Sequence, residues 1–409
     1  MGTIVASYIL LFRIFAVQLV SASFIARMKC MLRGQRSPLS YLETMKTMWM
    51  FLFLLLPIAG LVYVGWHVWT LVPLPPLWRA VLIVAGVLSF TLLFMNFRRL
   101  PDSLPMPLAR WCYDVGTSSI FVLLYLVMTF LVLDLGRLLR VVPREWMSQN
   151  VYTSAAIVIG LFVVFLYGNI HYNNKVREEL TLTTSKQLTR PLKLVLLSDL
   201  HLGYHNPRKE LARWVDMVNH EQPDVVLIAG DIIDMSMRPL VEENMAEEMR
   251  RIDAPVYACL GNHEYYAGEP LAQQFYRDAN IHLLRDTCEA VGDLCIIGRD
   301  DRTNPHRKSL GKLVQEAAPL LQKFTIVLDH QPYHLEQAER AGIDFQLSGH
   351  THRGQVWPIS WITDRLYECS WGSHQRGATH YYVSSGIGIW GGKFRIGTQS
   401  EYAVLEVKN

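Results

Sequence analysis

Asp199 and His201 stand two residues apart at the end of an apolar run, 192–197, and the arrangement returns four times downstream. The run 224–229 ends in Gly230-Asp231, and 256–260 ends in Gly261-Asn262-His263-Glu264. The run 324–328 ends in Asp329-His330, and 345–348 in Gly349-His350-Thr351-His352. Mixed carboxylate, amide and imidazole donors suit manganese, iron or zinc, whereas magnesium alone favours oxygen ligands. Asp199, His201, Asp231, Asn262, His330, His350 and His352 make seven candidate ligands. One ion takes about four to six, so two ions bridged by a shared carboxylate fit the set. Such pairs, about 3.5–4 Å apart, polarise phosphoryl oxygens, lower the pKa of a bridging water to make hydroxide, and stabilise in-line charge.

These side chains meet only if the fold collects them. Apolar runs of about four to eight residues bounded by Gly, Pro and polar residues read as buried strands. Ligands of layered α/β folds gather beyond the carboxyl ends of such strands. Between the runs, helical spacing is predicted over 207–220, 237–252, 271–279, 310–322 and 333–341. A hairpin is expected over 281–297 with its turn at Gly292, and β-rich runs over 379–407. Strands alternating with helices, then extra strands, indicate an α/β layered sandwich. The six cysteines lack Cys-x-x-Cys spacing and read as free thiols, with a Cys288–Cys295 bridge across the hairpin as the alternative.

The first 170 residues or so are different. Of the 409 residues 51% are hydrophobic and only 18% charged, with the long apolar runs concentrated at the N-terminal end. A membrane crossing takes about 20 apolar residues. Candidate spans are 3–26, 47–69, 80–97, 115–133 and 151–170, with Trp49, Trp66, Trp69 and Trp78 placed as interfacial anchors. Few ionisable residues fall inside or beside them (Arg13, His67 near an end, and Asp134 at the edge of the fourth), which favours an anchor over a transporter. The expected organisation is a membrane region over 1–172, a linker over 173–190 that becomes an edge strand at 180–183, and a soluble domain over 191–409. Basic loops at 27–46 and 98–110 place the soluble domain in the cytoplasm by the positive-inside rule. A net charge of +3 gives no reason to expect nucleic acid.

Asp-Leu-His (199–201), Gly-Asp-Ile-Ile-Asp (230–234), Gly-Asn-His-Glu (261–264), His330 and Gly-His-Thr-His (349–352) resemble, in order and spacing, the five signature blocks of calcineurin-like metallophosphoesterases. The resemblance covers about 190–409 and extends in layout to a membrane-anchored bacterial branch, which implies an inner-membrane location. It implies a four-layer α/β/β/α sandwich. It also implies one metal on Asp199, His201, Asp231 and His352, and a second on Asp231, Asn262, His330 and His350. Manganese is the expected ion, with iron or zinc the alternatives. By the same carry-over His263 protonates the leaving oxygen and Asp234 orients it. Many relatives have glycine after the last histidine, where this chain has Arg353. Arg353, Arg299 and Arg302 are therefore candidates to meet a substrate phosphate. The apolar run 357–362 reads either as a loop dipping into the membrane interface or as a core strand.

The expected function is hydrolysis of a phosphoester, phosphodiester or pyrophosphate bond beside the bilayer, on a phosphorylated small molecule or a lipid-linked substrate. The alternative is a membrane signalling phosphatase acting on a phosphoprotein or a cyclic nucleotide. A non-enzymatic scaffold is disfavoured because every ligand position holds a competent residue.

Overall fold

The computed structural model describes residues 38–409, with side chains from residue 55 onward. The first apolar run, 3–26, lies outside the described residues. Four long helices come first: α1 (Pro38–Leu71), α2 (Pro76–Phe97), α3 (Met106–Leu138) and α4 (Val151–Asn173). Among the described residues, α2, α3 and α4 are long and apolar enough to cross a membrane, and the apolar Leu55–Leu71 part of α1 is shorter. Their outer faces expose Leu88, Val132 and Phe162, a surface that suits hydrocarbon rather than water. Gly116 brings α3 so close to α2 that a Cβ there would meet the backbone of Leu92 and Leu93 at 2.8 Å. The intramembrane ionisable groups pair with each other: His67 Nε2 lies 3.0 Å from Asp134 Oδ2.

The rest of the chain runs β1 (Val176–Thr183), β2 (Leu192–Leu197), α5 (Arg208–His220), β3 (Val225–Ala229), α6 (Arg238–Glu242), α7 (Met245–Met249), β4 (Val256–Cys259), α8 (Asn262–Ala267), α9 (Glu269–Asp278) and β5 (Ile281–Leu283). It continues through β6 (Thr287–Val291), β7 (Leu294–Gly298), α10 (Leu310–Glu316), β8 (Phe324–Leu328), α11 (Glu336–Arg340), β9 (Phe345–Ser348), α12 (Ile359–Leu366), β10 (Gly372–Arg376), β11 (Thr379–Val383) and β12 (Glu401–Lys408). The strands form two sheets, ordered β1-β12-β2-β3-β4-β5 and β10-β11-β9-β8-β7-β6. Leu194, Leu196 and Leu227 from the first sheet interleave with Ile296, Phe324, Ile326 and Leu347 from the second. Helices α5, α7 and α9 cover the outer face of the first sheet through Trp214, Met249 and Phe275. On the second sheet Leu313 of α10 and Ala338 of α11 do the same. The architecture is a four-layer α/β/β/α sandwich behind a bundle of membrane helices. Strands buried on both faces are apolar throughout, which is why they read as unbroken runs.

Several elements differ from expectation. The helix predicted over 237–252 is broken in two at Asn244, whose φ of 51° no helix continues through. Within 281–297 only β6 and β7 form the hairpin, while β5 pairs parallel to β4 in the other sheet. Cys288 lies opposite Ile297 and Cys295 opposite Ala290, so the two cysteines are out of register and remain free thiols. The run 357–362 is neither loop nor strand, because a helix starts at Ile359. Within the stretch read as a linker, β1 pairs with β12 along its whole length, from Val176 opposite Glu401 to Thr183 opposite Lys408.

Candidate metal centre

Strands β2, β3, β4, β8 and β9 end at one edge of the sandwich, and each hands the chain to a donor residue there. The backbone turns sharply to do so. Asp199, His201, Asp231, His350 and His352 all adopt positive φ, between 44° and 71°. A non-glycine residue in that region costs on the order of 1–3 kcal/mol, so the surrounding structure holds these conformations against local preference. Close packing is part of that support: a Cβ on Gly386 (φ 90°) would meet the Cβ of Asp199 at 2.8 Å and His352 Nδ1 at 3.3 Å.

The donors form two adjoining groups around Asp231. Asp199, His201 and His352 bring ligand atoms together, as do Asp231, His330 and His350. His330 Nε2 is 3.1 Å from Asp231 Oδ2 and 3.2 Å from Asn262 Oδ1. His201 Nε2 is 3.7 Å from Asp231 Oδ2 and 3.1 Å from His352 Nε2, and His352 Nε2 is 3.5 Å from Asp199 Oδ1. A hydrogen bond made elsewhere fixes what His330 offers: its Nδ1 lies 2.7 Å from the Ala229 carbonyl, so the proton sits there and the Nε2 lone pair turns inward, the arrangement that supports metal-ligating histidines. His201 Nδ1 lies 3.3 Å from Asp234 Oδ1, within ion-pair distance. Lone pairs of imidazole, carboxylate and amide facing one another in a buried site repel unless a cation lies among them. The donor set therefore fits divalent ions.

Electrostatics act differently on the individual histidines: burial works against the His330 cation, yet Asp231 and Asp199 hold it well above its ordinary value. Burial pushes His350 down to about 4 and, with His201 beside it, pushes His352 below its ordinary value. Burial also works against the His263 cation, but Asp231 and Asp234 hold its imidazolium up to about 9. Asp234 lies 3.3 Å from His263 Nδ1; burial would raise its carboxyl, yet His201 and His263 keep it well below the usual carboxylate range.

A family model for calcineurin-like phosphoesterases matches residues 192–354, from the first strand of this edge to the turn after its last ligand. Residues 192–354 are a calcineurin-like phosphoesterase domain. An uncharacterized metallophosphoesterase of Campylobacter jejuni is 29% identical over 63% of this chain and 70% of its own length. A transmembrane protein with metallophosphoesterase domain from Bos taurus is 32% identical, over 52% of each chain, so this chain spans about half of that relative. The phosphodiesterase YaeI of Escherichia coli is 25% identical over 59% of this chain and 92% of its own length. The domain has the character of a metal-dependent phosphoric ester hydrolase, and the chain is a membrane protein.

Three residues that organise the phosphoesterase centre escape a reading of its motifs. Tyr113, on membrane helix α3, donates its hydroxyl to Asp234 Oδ2 at 2.5 Å and stacks on His205 with ring centroids 4.9 Å apart. Arg395 is fully buried and donates to the carbonyls of His352 (2.7 Å) and Ser385 (2.5 Å), clasping the last ligand loop. Glu264 accepts from the backbone N–H groups of Asp231 (3.1 Å), Ile233 (3.0 Å) and Gly261 (2.6 Å), tying two ligand loops together. Only Glu264 had a signal, as the last letter of a motif.

The arginine candidates are placed differently. Arg299 is buried in an ion pair with Asp329 (2.7 Å), which Arg307 also contacts at 3.1 Å, so its charge is already committed. Arg302 lies over the Tyr333 ring at 4.4 Å. Arg353 lies over Trp371 at 4.5 Å with its Nε 3.7 Å from Asp364. Of the three, Arg353 alone directly follows a ligand.

Proposed function

We propose that the chain is a membrane-anchored dinuclear-metal phosphoesterase that cleaves a phosphoester, phosphodiester or pyrophosphate bond in a lipid-linked substrate. In this reading Asp199, His201, Asp231 and His352 hold one ion, and Asp231, Asn262, His330 and His350 hold the other. Manganese is the leading candidate, with iron or zinc as alternatives. Two ions there would polarise the phosphoryl oxygens and lower the pKa of a shared water. The chain's own groups do the rest. Asp231 serves both groups of donors. His263, oriented through Nδ1 by Asp234, delivers a proton to the leaving oxygen from its other nitrogen. Arg353 meets a substrate phosphate at the rim. The observation that carries the reading is the convergence of His330, Asp231 and Asn262 within 3.2 Å, with the His330 proton directed away to Ala229.

The lipid-linked substrate is supported by placement. The ligand loops touch the membrane helices directly, through Tyr113 to Asp234 and through Tyr125, whose hydroxyl donates to the Trp357 carbonyl at 2.7 Å. The domain lies on the side of the basic 98–110 loop, where Arg110 pairs with Glu243 and Arg99 donates to the Tyr266 carbonyl. By the positive-inside rule that side is cytoplasmic, in a bacterial inner membrane. Purified full-length protein with manganese is expected to hydrolyse bis(p-nitrophenyl) phosphate, and Asp231→Asn to abolish the reaction. Equal rates for the two proteins would reject the proposal.

A further inference from the structure

Helix α12 presents a surface that the hydrolytic chemistry leaves unexplained. Beyond residue 173 eight large apolar side chains are exposed, and four of them fall within 357–366: Trp357, Trp361, Ile362 and Leu366. Trp361 and Leu366 are 64% and 70% exposed, on a helix of only eight residues. In water that concentration is a liability, and such patches mark surfaces that another phase or partner covers. The two tryptophan rings meet edge to face, with centroids 5.5 Å apart. Arg365 follows Trp361 by one turn on the same face, where its stem lies on apolar surface and its head reaches water.

The place of α12 in the fold says what covers this face. Ile359, its first residue, belongs to one apolar cluster with Phe121 and Tyr125 of α3 and with Leu161 and Val164 of α4. Beside it the Tyr125 hydroxyl donates to the Trp357 carbonyl at 2.7 Å. Val164 and Leu161 lie four and seven residues before Gly168, where α4 meets Ile396 of the phosphoesterase domain. At about 1.5 Å per residue, the start of α12 sits roughly 6–10 Å past that meeting point, toward the middle of the span. Interfacial helices bury their apolar face about 5–10 Å into the headgroup and acyl boundary, and tryptophan is favoured at that level. The exposed face of α12 therefore adjoins the apolar surface of the spanning helices.

Helix α12 is also braced against the metal centre at two points. Asp364 Oδ1 lies 3.7 Å from the Nε of Arg353, the residue after His352. The hydroxyl of Tyr367, at the end of the helix, lies 2.9 Å from that of Tyr333, three residues after His330. We infer that α12 is inserted in the lipid interface on the side of the metal centre, and that through Arg353 and Tyr333 it holds the rim of that centre at headgroup level. The partner of its exposed face is the lipid surface itself. The inference rests on the phosphoesterase reading and adds how substrate arrives: an amphiphile reaches the rim along the bilayer without leaving it.

Full-length protein in nanodiscs tests both parts. Tryptophan emission of wild type and Trp361→Phe is compared in discs of 6,7-dibromo phosphatidylcholine and in unbrominated discs with and without iodide in the buffer. The component missing from Trp361→Phe is expected to be quenched by the brominated lipid. Absence of that quenching overturns the inference, whether iodide quenches the component (a face in water) or neither does (a face covered by a second copy of the chain). Ethyl and hexadecyl p-nitrophenyl phosphate share a leaving group, and only the second resides in the bilayer. Ile362→Glu and Leu366→Glu each put a charge on the inserted face. Each is expected to lower kcat/KM for the hexadecyl diester about tenfold, with kcat/KM for the ethyl diester unchanged. Equal losses on both diesters in both variants, or no loss on either, would overturn the inference. If the wild type hydrolyses neither diester, the phosphoesterase reading fails, and the bromolipid result alone judges the place of α12.

Discussion

The Tyr113 hydroxyl, on membrane helix α3, is held against Asp234 of the phosphoesterase domain. It donates to the oxygen of Asp234 that does not face His263, which fixes the carboxylate's rotation. Hydrogen bonds to charged groups contribute about 1.5–3 kcal/mol. Tyr113→Phe is accordingly expected to lower kcat on bis(p-nitrophenyl) phosphate about tenfold, with KM and bound metal unchanged, since Tyr113 touches no ligand directly. Loss of metal in that variant would show a merely structural role. His263→Gln should act differently. Its rate on a diester with a poor leaving group such as methoxide should fall by roughly 10²–10⁴-fold, and its rate with p-nitrophenolate much less, because only the poor leaving group needs the proton. Equal losses on both would remove His263 from the acid role. At this scale the motif residues were legible, because each follows its strand by two to five positions. Tyr113 was not, because 121 residues separate it from Asp234. The pairing of Arg299 with Asp329 was not legible either, because a charge in a dense polar loop reads the same whether it faces substrate or a carboxylate.

The strand-end loops hold the candidate ligands in strained backbone, and two features offset that strain. Gly349 leaves room that a side chain would take, since a Cβ there would run into Asp199 Oδ2 and Ser198. Gly349→Ala should displace Asp199 and lower metal content while far-UV circular dichroism stays native. Arg395 gives its guanidinium to carbonyls on both sides of the last ligand loop, although burial pushes its pKa down to about 10. Arg395→Met leaves those carbonyls without donors, and the thermal midpoint should fall by several degrees, consistent with a loss of about 3 kcal/mol or more. An unchanged midpoint would mean that solvent replaces the guanidinium. The five ligand-bearing strands could be read from composition because their burial is two-sided. The pairing of β12 between β1 and β2 could not, since an apolar run carries no record of its partners. Nor did charge pattern reveal the break at Asn244, which depends on one residue adopting positive φ.

Across the whole molecule the edge that gathers the ligands is also the edge docked on the membrane helices. Tyr113, Tyr125 and Gly168 on α3 and α4 meet Asp234, Trp357 and Ile396, all in loops that surround the donors. That placement sets the donor cluster against α3 and α4, which hydropathy and motif content each left open when read separately. The account stands on two cations sharing Asp231, and metal content measures that directly. Full-length protein loaded with manganese, freed of excess ion and analysed by inductively coupled plasma mass spectrometry should carry two ions per chain, and Asp231→Asn at most one. One ion or none in the wild type, or two in Asp231→Asn, would contradict it.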